Sequence, residues 1–359
     1  MLEKLSLFHQ WFLVKDCKKK LLFFFCLFSF NILFANVNDS IVLGDKTPKK
    51  LSDYGFFDDL VSQSPSKGVL PYDLISPLFS DYADKIRFIY IPEKGFAEYR
   101  PHEVFNFPEG SVLIKTFAYL NDHSESNLDA QLLETRLLIK KNNKWKNVSY
   151  IWNEEQNDAF LSIAGKTIST QFVNNEGNIQ DVRYRVPNIN QCKECHQRNK
   201  SIKPIGPKAR NLDKDYSYDE GVMNQLDKWH NNGWIKKDIK VEAMTDWTNT
   251  LASMNARSRS YLDINCGHCH IEGGSADTTG LYLDFTEERK IHLGVYKKPI
   301  AAGRASNNLK YSIVPGDPDS SILLYRMNSL DPGIMMPESG RALEHKEGTE
   351  LIRKWIENL

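Results

Sequence analysis

The stretch VRYRVPNINQCKECH, residues 182–196, separates two parts of the chain that differ in character. It begins with valine and tyrosine, residue types that are enriched in β-strands. It ends in Cys192-Lys193-Glu194-Cys195-His196, and the same Cys-x-x-Cys-His pattern returns as CGHCH at residues 266–270. A predicted strand therefore leads into the first of two copies of one motif. The residues before and after this first copy predict two different folds.

The part of the chain before the first motif is rich in strand-forming residues. Two turn sequences punctuate it, Phe107-Pro108-Glu109-Gly110 and Asn142-Asn143, and the second of these predicts a hairpin between its flanking strands. The runs of β-branched and aromatic residues are 87–91 (RFIYI), 111–119 (SVLIKTFAY), 136–140 (RLLIK) and 145–152 (WKNVSYIW). We therefore predict a β-rich domain over residues 50–200 that ends in the first motif.

The part of the chain after the first motif has a helical character. Proline and glycine interrupt residues 201–248, which are predicted to connect two domains. Apolar residues then recur at helical spacing before Cys266, and residues 351–359 carry the apolar stripe of a terminal helix. Residues 249–359 are therefore predicted to form an all-α domain. The expected fold class is α+β, with the β-rich domain followed by this all-α domain.

The two motifs have the spacing at which c-type haem is attached to a protein chain. In such a motif the two cysteine sulfurs form thioethers with the haem vinyl groups, and the histidine becomes the proximal iron ligand. We therefore predict two covalently bound haem c groups. The predicted attachment residues are Cys192 and Cys195 with His196, and Cys266 and Cys269 with His270.

The N-terminus has the composition of an export signal. Three lysines at residues 18–20 precede the apolar run LLFFFCLFSFNILFA, which is short for a membrane span. We predict a signal peptide over residues 1–35, cleaved near Ala35, with an uncleaved membrane anchor as the alternative. Bacterial haem c is attached outside the cytoplasm, so the periplasm is the expected compartment. The 46 basic and 46 acidic residues cancel, which argues against nucleic acid as a partner.

A zinc site, a redox dithiol and a chance match are the alternatives to haem attachment. The chain has six cysteines; Cys17 and Cys26 lie in the predicted leader, so the other four all belong to the motifs. Zinc-ribbon pairs lie roughly 15–20 residues apart, whereas these motifs begin at residues 192 and 266. A redox dithiol does not require the trailing histidine. Haem attachment is the interpretation that uses every motif residue.

Residues 249–359 resemble the class I cytochrome c domain. In that family a methionine on a loop before the last helix binds the iron opposite the histidine, and this chain has Gly333-Ile334-Met335-Met336-Pro337 there. The resemblance selects Met336 as the distal ligand, with Met335 as the alternative. Thioether ligation raises the reduction potential of the iron.

The whole mature chain resembles a family of exported, largely uncharacterised dihaem c-type cytochromes. The resemblance implies haem and electron transfer without an agreed substrate. The stretches that carry it are 71–73 (PYD), 80–85 (SDYADK), 107–117, 134–138 (ETRLL), 192–197, 204–208 (PIGPK), 224–226 (NQL) and 261–270.

The first haem has no distal ligand that the sequence identifies. The candidates are His102, His123, Met223, His230, Met244 and Met254. A faint resemblance of the β-rich part to the cytochrome c-prime-beta group, with Lys115 at the end of its best-matching strand, implies a five-coordinate iron instead. We expect the acidic residues Asp81, Asp84 and Glu134 to lie at the surface or in turns, with a role as pocket groups as the alternative.

These features favour an electron-transfer protein over a catalyst, with periplasmic redox donor and acceptor proteins as partners. The alternatives are a dihaem oxidoreductase of peroxidase type and a gas or redox sensor, both using an open coordination position at the first haem. A subunit that delivers electrons for a separate dehydrogenase is a further possibility.

Overall fold

The computed structural model describes residues 36–120, 130–174, 176–237, 239–300 and 302–359. These residues belong to one compact unit. The predicted signal peptide and the candidate ligand His123 lie outside them. No helix in the described ranges is long and apolar enough to span a bilayer.

The strands are mostly short, and most of them lie in the first two thirds of the chain. They are β1 Phe57–Asp59, β2 Ser64–Pro65, β3 Val69–Pro71, β4 Asp84–Tyr90, β5 Val112–Leu120, β6 Ala130–Lys141, β7 Lys144–Trp152, β8 Ala159–Ser162, β9 Lys166–Val173, β10 Ile179–Val186, β11 Gln197–Arg198, β12 Ser201–Ile202, β13 Asp215–Tyr218 and β14 Gly221–Asn224. The α-helices are α1 Asp39–Val42, α2 Ile189–His196, α3 Ala209–Leu212, α4 Gln225–Asn231, α5 Met254–Asn265, α6 Ile322–Asn328 and α7 Lys346–Glu357.

The centre of the fold is a six-stranded antiparallel sheet. Its strands follow sequence order, β3-β4-β5-β6-β7-β8, so every neighbouring pair is joined by a local connection. Asn142 and Asn143 form the two-residue turn between β6 and β7, both with positive φ, as asparagine tolerates in a tight hairpin. The predicted hairpin is confirmed.

The sheet buries different side chains on its two faces because successive residues of a strand point in opposite directions. On β5, Val112 and Ile114 belong to the core of one face, which is closed by the N-terminal residues 37–60. The opposite face carries two apolar clusters. The first is the Trp229 cluster, which includes Ile89, Phe105, Phe107, Leu113, Trp145 and Trp229. The second is the Tyr184 cluster, which includes Phe117, Tyr119, Leu133, Phe172, Val182 and Tyr184.

The predicted all-α, class I cytochrome c-like domain over residues 249–359 is wrong. The structure is 21% helix and 29% strand, mostly a β-sheet domain with a few helices, and it shows no such all-α domain. Helices α5 and α7 are present at the two predicted ends and pack together through Tyr261, Leu351 and Trp355. Between α5 and α6, however, the described residues 266–300 and 302–321 contain only two short 3-10 turns, at Asp277–Thr279 and Gly303–Ser306.

The chain composition between α5 and α6 explains this difference. Gly294, Gly303 and Gly316 all adopt positive φ, a conformation that ends a right-handed helix. The C-terminal residues also form hydrogen bonds with the β-rich part. The buried Asp81 carboxylate accepts hydrogen bonds from the N–H groups of Ala342 and Leu343 at 2.7 and 2.8 Å. Periodicity identified the two terminal helices, but it carries no information about such a long irregular connection.

Candidate metal centre formed by two Cys-x-x-Cys-His motifs

The first motif occupies the last turns of α2. The helix begins at a capping box in which the Asn188 side chain accepts the N–H of Gln191, while the Gln191 side chain accepts the N–H of Asn188, both at 3.0 Å. This cap fixes the helix immediately after β10. Cys192, Cys195 and His196 are then three and four residues apart, a spacing that places side chains on one face of a helix.

The second motif follows α5 directly. The N–H groups of Cys266 and Gly267 both donate to the carbonyl of Leu262, and the N–H of His270 donates to the carbonyl of Cys266 at 2.9 Å. A Cβ atom at position 267 would lie 2.7 Å from the Asp263 carbonyl oxygen. Only glycine therefore fits directly after Cys266. The motif is thus a tight turn at the end of the helix.

The structure brings the two motifs into contact. The Cys269 Sγ lies 3.3 Å from the carbonyl oxygen of Glu194, and the N–H of Asn199 donates to the Gly273 carbonyl at 2.8 Å. The sulfurs of Cys195 and Cys269 and a ring nitrogen of His268 all lie within 4.8 Å of one another. Residues far apart in sequence therefore meet at the cysteines themselves, an arrangement that no sequence pattern predicts.

The four motif cysteines are free thiols with the chemistry that thioether formation requires. Each pair keeps its own histidine, so the donor set fits two haem c groups. Cys195, His268 and Cys269 could also hold a zinc ion, but they supply three ligands where structural zinc takes four. That alternative would leave His196 and His270 without a role.

Both motif histidines have the protonation state that iron ligation requires. The Nδ1 of His196 lies 2.8 Å from the carbonyl oxygen of Lys203, which orients the ring and leaves Nε2 for a metal. Burial lowers the pKa of His196 to about 3. Burial also lowers the pKa of His270, although the neighbouring Cys269 opposes the shift. Each imidazole is therefore neutral at physiological pH, as a metal ligand must be.

The two methionines before the last helix differ in exposure. Met335 is only 2% exposed, which is typical of a core side chain, whereas Met336 is partly exposed. The N–H of Met336 donates to the carbonyl of Arg326 at 3.0 Å, and the Arg326 Nε donates to the carbonyl of Ile334 at 2.8 Å. The charge of Arg326 also contributes to the lowered pKa of His270, so this loop lies in the electrostatic surroundings of the second motif.

The other candidate ligands for the first haem have contacts of their own. His102 is exposed, and His230 Nδ1 lies 3.2 Å from the Ile235 carbonyl oxygen. Met223 is exposed on β14, Met244 is 3% exposed, and Met254 packs against the core around Leu262. Met244 and Met254 therefore have packing roles, and none of these contacts links a candidate to the first motif.

Sequence reasoning missed the groups on the sheet that surround the first motif. The expectation that Glu134 lies at the surface or in a turn is wrong, because it is on β6 and 0% exposed. Asp81 lies in a turn, as expected, but is only 1% exposed. Glu134 accepts a hydrogen bond from the Tyr184 hydroxyl at 2.7 Å and forms a short ion pair with Arg136. The positive charge of Arg136 acts to lower the pKa values of Cys192, Cys195 and His196. No local pattern identifies Glu134 as buried, because its partner Tyr184 comes from β10, which is distant in sequence.

Comparison with protein-family models, with curated proteins and with solved structures finds no match for this chain.

Proposed function

We propose that the protein is a dihaem c-type cytochrome of the periplasm that transfers electrons between redox partner proteins. The contact between the two Cys-x-x-Cys-His motifs carries this proposal. A thioether joins each cysteine sulfur directly to the haem edge, so sulfurs as close as those of Cys195 and Cys269 would hold two haem edges side by side. Two redox groups held so close are suited to passing an electron from one to the other.

The bound haem iron would supply a reversible one-electron change between the ferric and ferrous states. The chain supplies attachment, orientation and a dry environment. His196 and His270 would bind the two irons, and the Lys203 carbonyl fixes the ring of the first. Burial lowers the pKa of both histidines, so the imidazoles are neutral and need lose no proton to bind iron.

The holoprotein tests the proposal. We expect chain produced in a host that attaches haem c to carry two covalent haems, measured as iron content, as intact mass and as the absorbance of the pyridine complex. Electron paramagnetic resonance of the oxidised protein should show magnetic interaction between the two irons, because their attachment cysteines adjoin. Zinc in place of iron, or chain without covalent haem, would refute the proposed function.

Met336 is the distal ligand that we propose for the second haem. Met336→Ala should remove the thioether ligand and lower the potential of one haem by on the order of 0.1 V, because axial ligand identity is a main determinant of haem potential. Met335→Leu is the matched control, since leucine keeps an apolar side chain of similar volume in a buried position. Spectroelectrochemical titration measures both; an unchanged Met336→Ala protein would exclude this ligand.

A further inference from the structure

The chain segments that follow the two motifs lie side by side. The N–H of Asn199 donates to the Gly273 carbonyl at 2.8 Å, and Arg198 forms an isolated antiparallel bridge with Gly274. The Arg198 Nε also donates to the carbonyl of Glu272 at 3.3 Å. Hydrogen bonds therefore join the two segments just beyond the motif histidines, and they hold the motifs against each other.

Two glycines permit this close approach. Gly273 has a φ of 73°, a conformation that favours glycine, and a Cβ atom there would overlap the Asn199 side chain. A Cβ atom at Gly274 would overlap the carbonyl oxygen of Cys269. A side chain at either position would push the segments apart, so the local sequence is suited to contact between the motifs.

The contact places one thiol of each motif beside the other. The Sγ atoms of Cys195 and Cys269 lie within 4.8 Å of each other, and both cysteines are free. The Cys269 Sγ is also 3.3 Å from the carbonyl oxygen of Glu194, the residue before Cys195. The remaining separation of the sulfurs is one that side-chain rotation can close, because the backbone next to Cys195 already touches the Cys269 sulfur.

Pairing within the first motif is less favourable. Cys192 and Cys195 are three residues apart on α2, and side chains at this spacing have Cβ atoms about 5–6 Å apart. A disulfide joins Cβ atoms only about 3.5–4.5 Å apart. A bond between these two cysteines would therefore distort the last turn of α2, in which the N–H of Gln197 donates to the Lys193 carbonyl.

The two cysteines of the second motif have different neighbours. Cys266 packs against the apolar core that contains Tyr261 and Leu262. Cys269 instead contacts Glu194 of the first motif. The structure thus separates the cysteines of the second motif and brings Cys269 to the first motif.

We propose that Cys195 and Cys269 form a disulfide across the two motifs before haem is attached, and that this single bond holds back both haems together. The inference rests on the proposed attachment of haem at both motifs. A thioether requires a free thiol, and the disulfide occupies one cysteine of each motif. Reduction of this one bond would make both motifs complete in the same step.

The bond forms by exchange with a disulfide oxidant, a class of reagent typical of exported compartments. The thiolate of one cysteine attacks the oxidant and forms a mixed disulfide, which the second cysteine then displaces. The S–S bond of the oxidant breaks and the Cys195–Cys269 bond forms. The two protons and two electrons that the cysteines lose are found on the two thiols of the reduced oxidant. A dithiol reductant reverses the exchange.

Peptide mapping of the chain from residue 36 onward, produced without haem, tests the proposal. The folded chain is equilibrated with mixtures of reduced and oxidised glutathione, alkylated in denaturant and digested with trypsin. Trypsin cuts after Lys193 and so separates Cys192, on peptide 186–193, from Cys195, on peptide 194–198; peptide 260–289 carries the second motif. We expect 194–198 linked to 260–289 to exceed 186–193 linked to 194–198 about tenfold or more, because the fold brings the first pair of thiols together.

Serine variants identify the bonded cysteines. Cys269→Ser should lose the link between peptides 194–198 and 260–289, and Cys266→Ser, its matched control, should keep it. Cys192→Ser should keep it as well. The cross-linked wild-type chain should accept alkyl groups at Cys192 and Cys266 alone, which intact mass measures. Equilibration in urea should abolish the tenfold preference, since the contact between the motifs depends on the fold.

The outcomes separate this inference from the proposed function. Four alkylated thiols at every glutathione ratio, or a predominant bond within either motif, would overturn the cross-motif disulfide. Two covalent haems on chain made in a competent host would then still support electron transfer. A cross-linked chain that attaches no haem in such a host would instead overturn the proposed function. If Cys269→Ser does not fold, Cys195→Ser provides the same comparison.

Discussion

Replacing Cys192 and Cys195 together with alanine should lower the covalent haem content from two per chain to one. The thioethers are the only covalent bonds that would hold this haem, and His196 alone forms a coordinate bond that denaturation breaks. The corresponding Cys266→Ala, Cys269→Ala protein should likewise retain one haem. Intact mass after denaturation and the absorbance of the pyridine complex measure the loss directly.

The two double variants should also differ from each other in the haem that remains. The first leaves the haem for which Met336 is the proposed distal ligand, and the second leaves the haem for which His196 is the proposed proximal ligand. Both variants should lose the magnetic interaction between irons, since one iron has no neighbour.

Cys17→Ala and Cys26→Ala are the controls for these variants. Both cysteines lie in the predicted signal peptide, so the mature protein should keep two haems in either variant. A first-motif variant that retains two covalent haems would contradict the assignment of Cys192 and Cys195. A variant that loses zinc and no iron would support the metal cluster of Cys195, His268 and Cys269 instead.

Local sequence signals predicted the central strands well because each strand is specified by its own residues. The run 111–119 corresponds to β5 Val112–Leu120, and 145–152 corresponds to β7 Lys144–Trp152. The turn at Asn142-Asn143 was predictable for the same reason, since few residue types tolerate positive φ. Strands and tight turns of this kind are encoded over short windows.

The features that matter most for the site depend on tertiary packing and were not predictable. The meeting of Cys195 with Cys269 requires the chain between them to fold back, and no spacing rule encodes this. Glu134 was expected at the surface because carboxylates are rarely buried without partners. Its partners Arg136 and Tyr184 come from the same strand and from β10, so burial becomes explicable only when β10 is placed against the sheet.

Asp263→Ala should have the largest effect on stability of any substitution considered. The Asp263 carboxylate is 2% exposed and lies on α5 directly before the second motif. It accepts hydrogen bonds from Lys208 Nζ at 3.1 Å, from Arg210 Nη1 at 3.3 Å and from the N–H of Phe285 at 3.1 Å. Removing it leaves two cations without their counter-charge, one of them the 4% exposed Arg210. We expect the free energy of unfolding to fall by about 3–5 kcal/mol.

The same contacts predict a pH dependence for the wild-type protein. Burial alone would raise the pKa of Asp263, but Lys208 and Arg210 outweigh it, so the folded-state pKa is lower than the unfolded value of about 3.9. A carboxyl group with a lowered pKa stabilises the fold above the unfolded pKa, and that stabilisation is lost as the pH falls through the folded pKa. The wild-type protein should therefore lose stability below about pH 4 more steeply than Asp263→Ala.

Urea denaturation of both holoproteins over a series of pH values measures the two effects. Asp45→Ala is the matched control, because Asp45 pairs with Lys141 at the surface and its removal should not measurably change stability. A loss of less than about 1 kcal/mol in Asp263→Ala would contradict the central role of this carboxylate, since broken buried ion pairs cost several times more. Haem content should stay at two in the variant, as Asp263 binds the flanking segments and the attachment chemistry belongs to Cys266 and Cys269. Stability and haem attachment are in this way separable at Asp263 on α5 and at the motif that follows this helix.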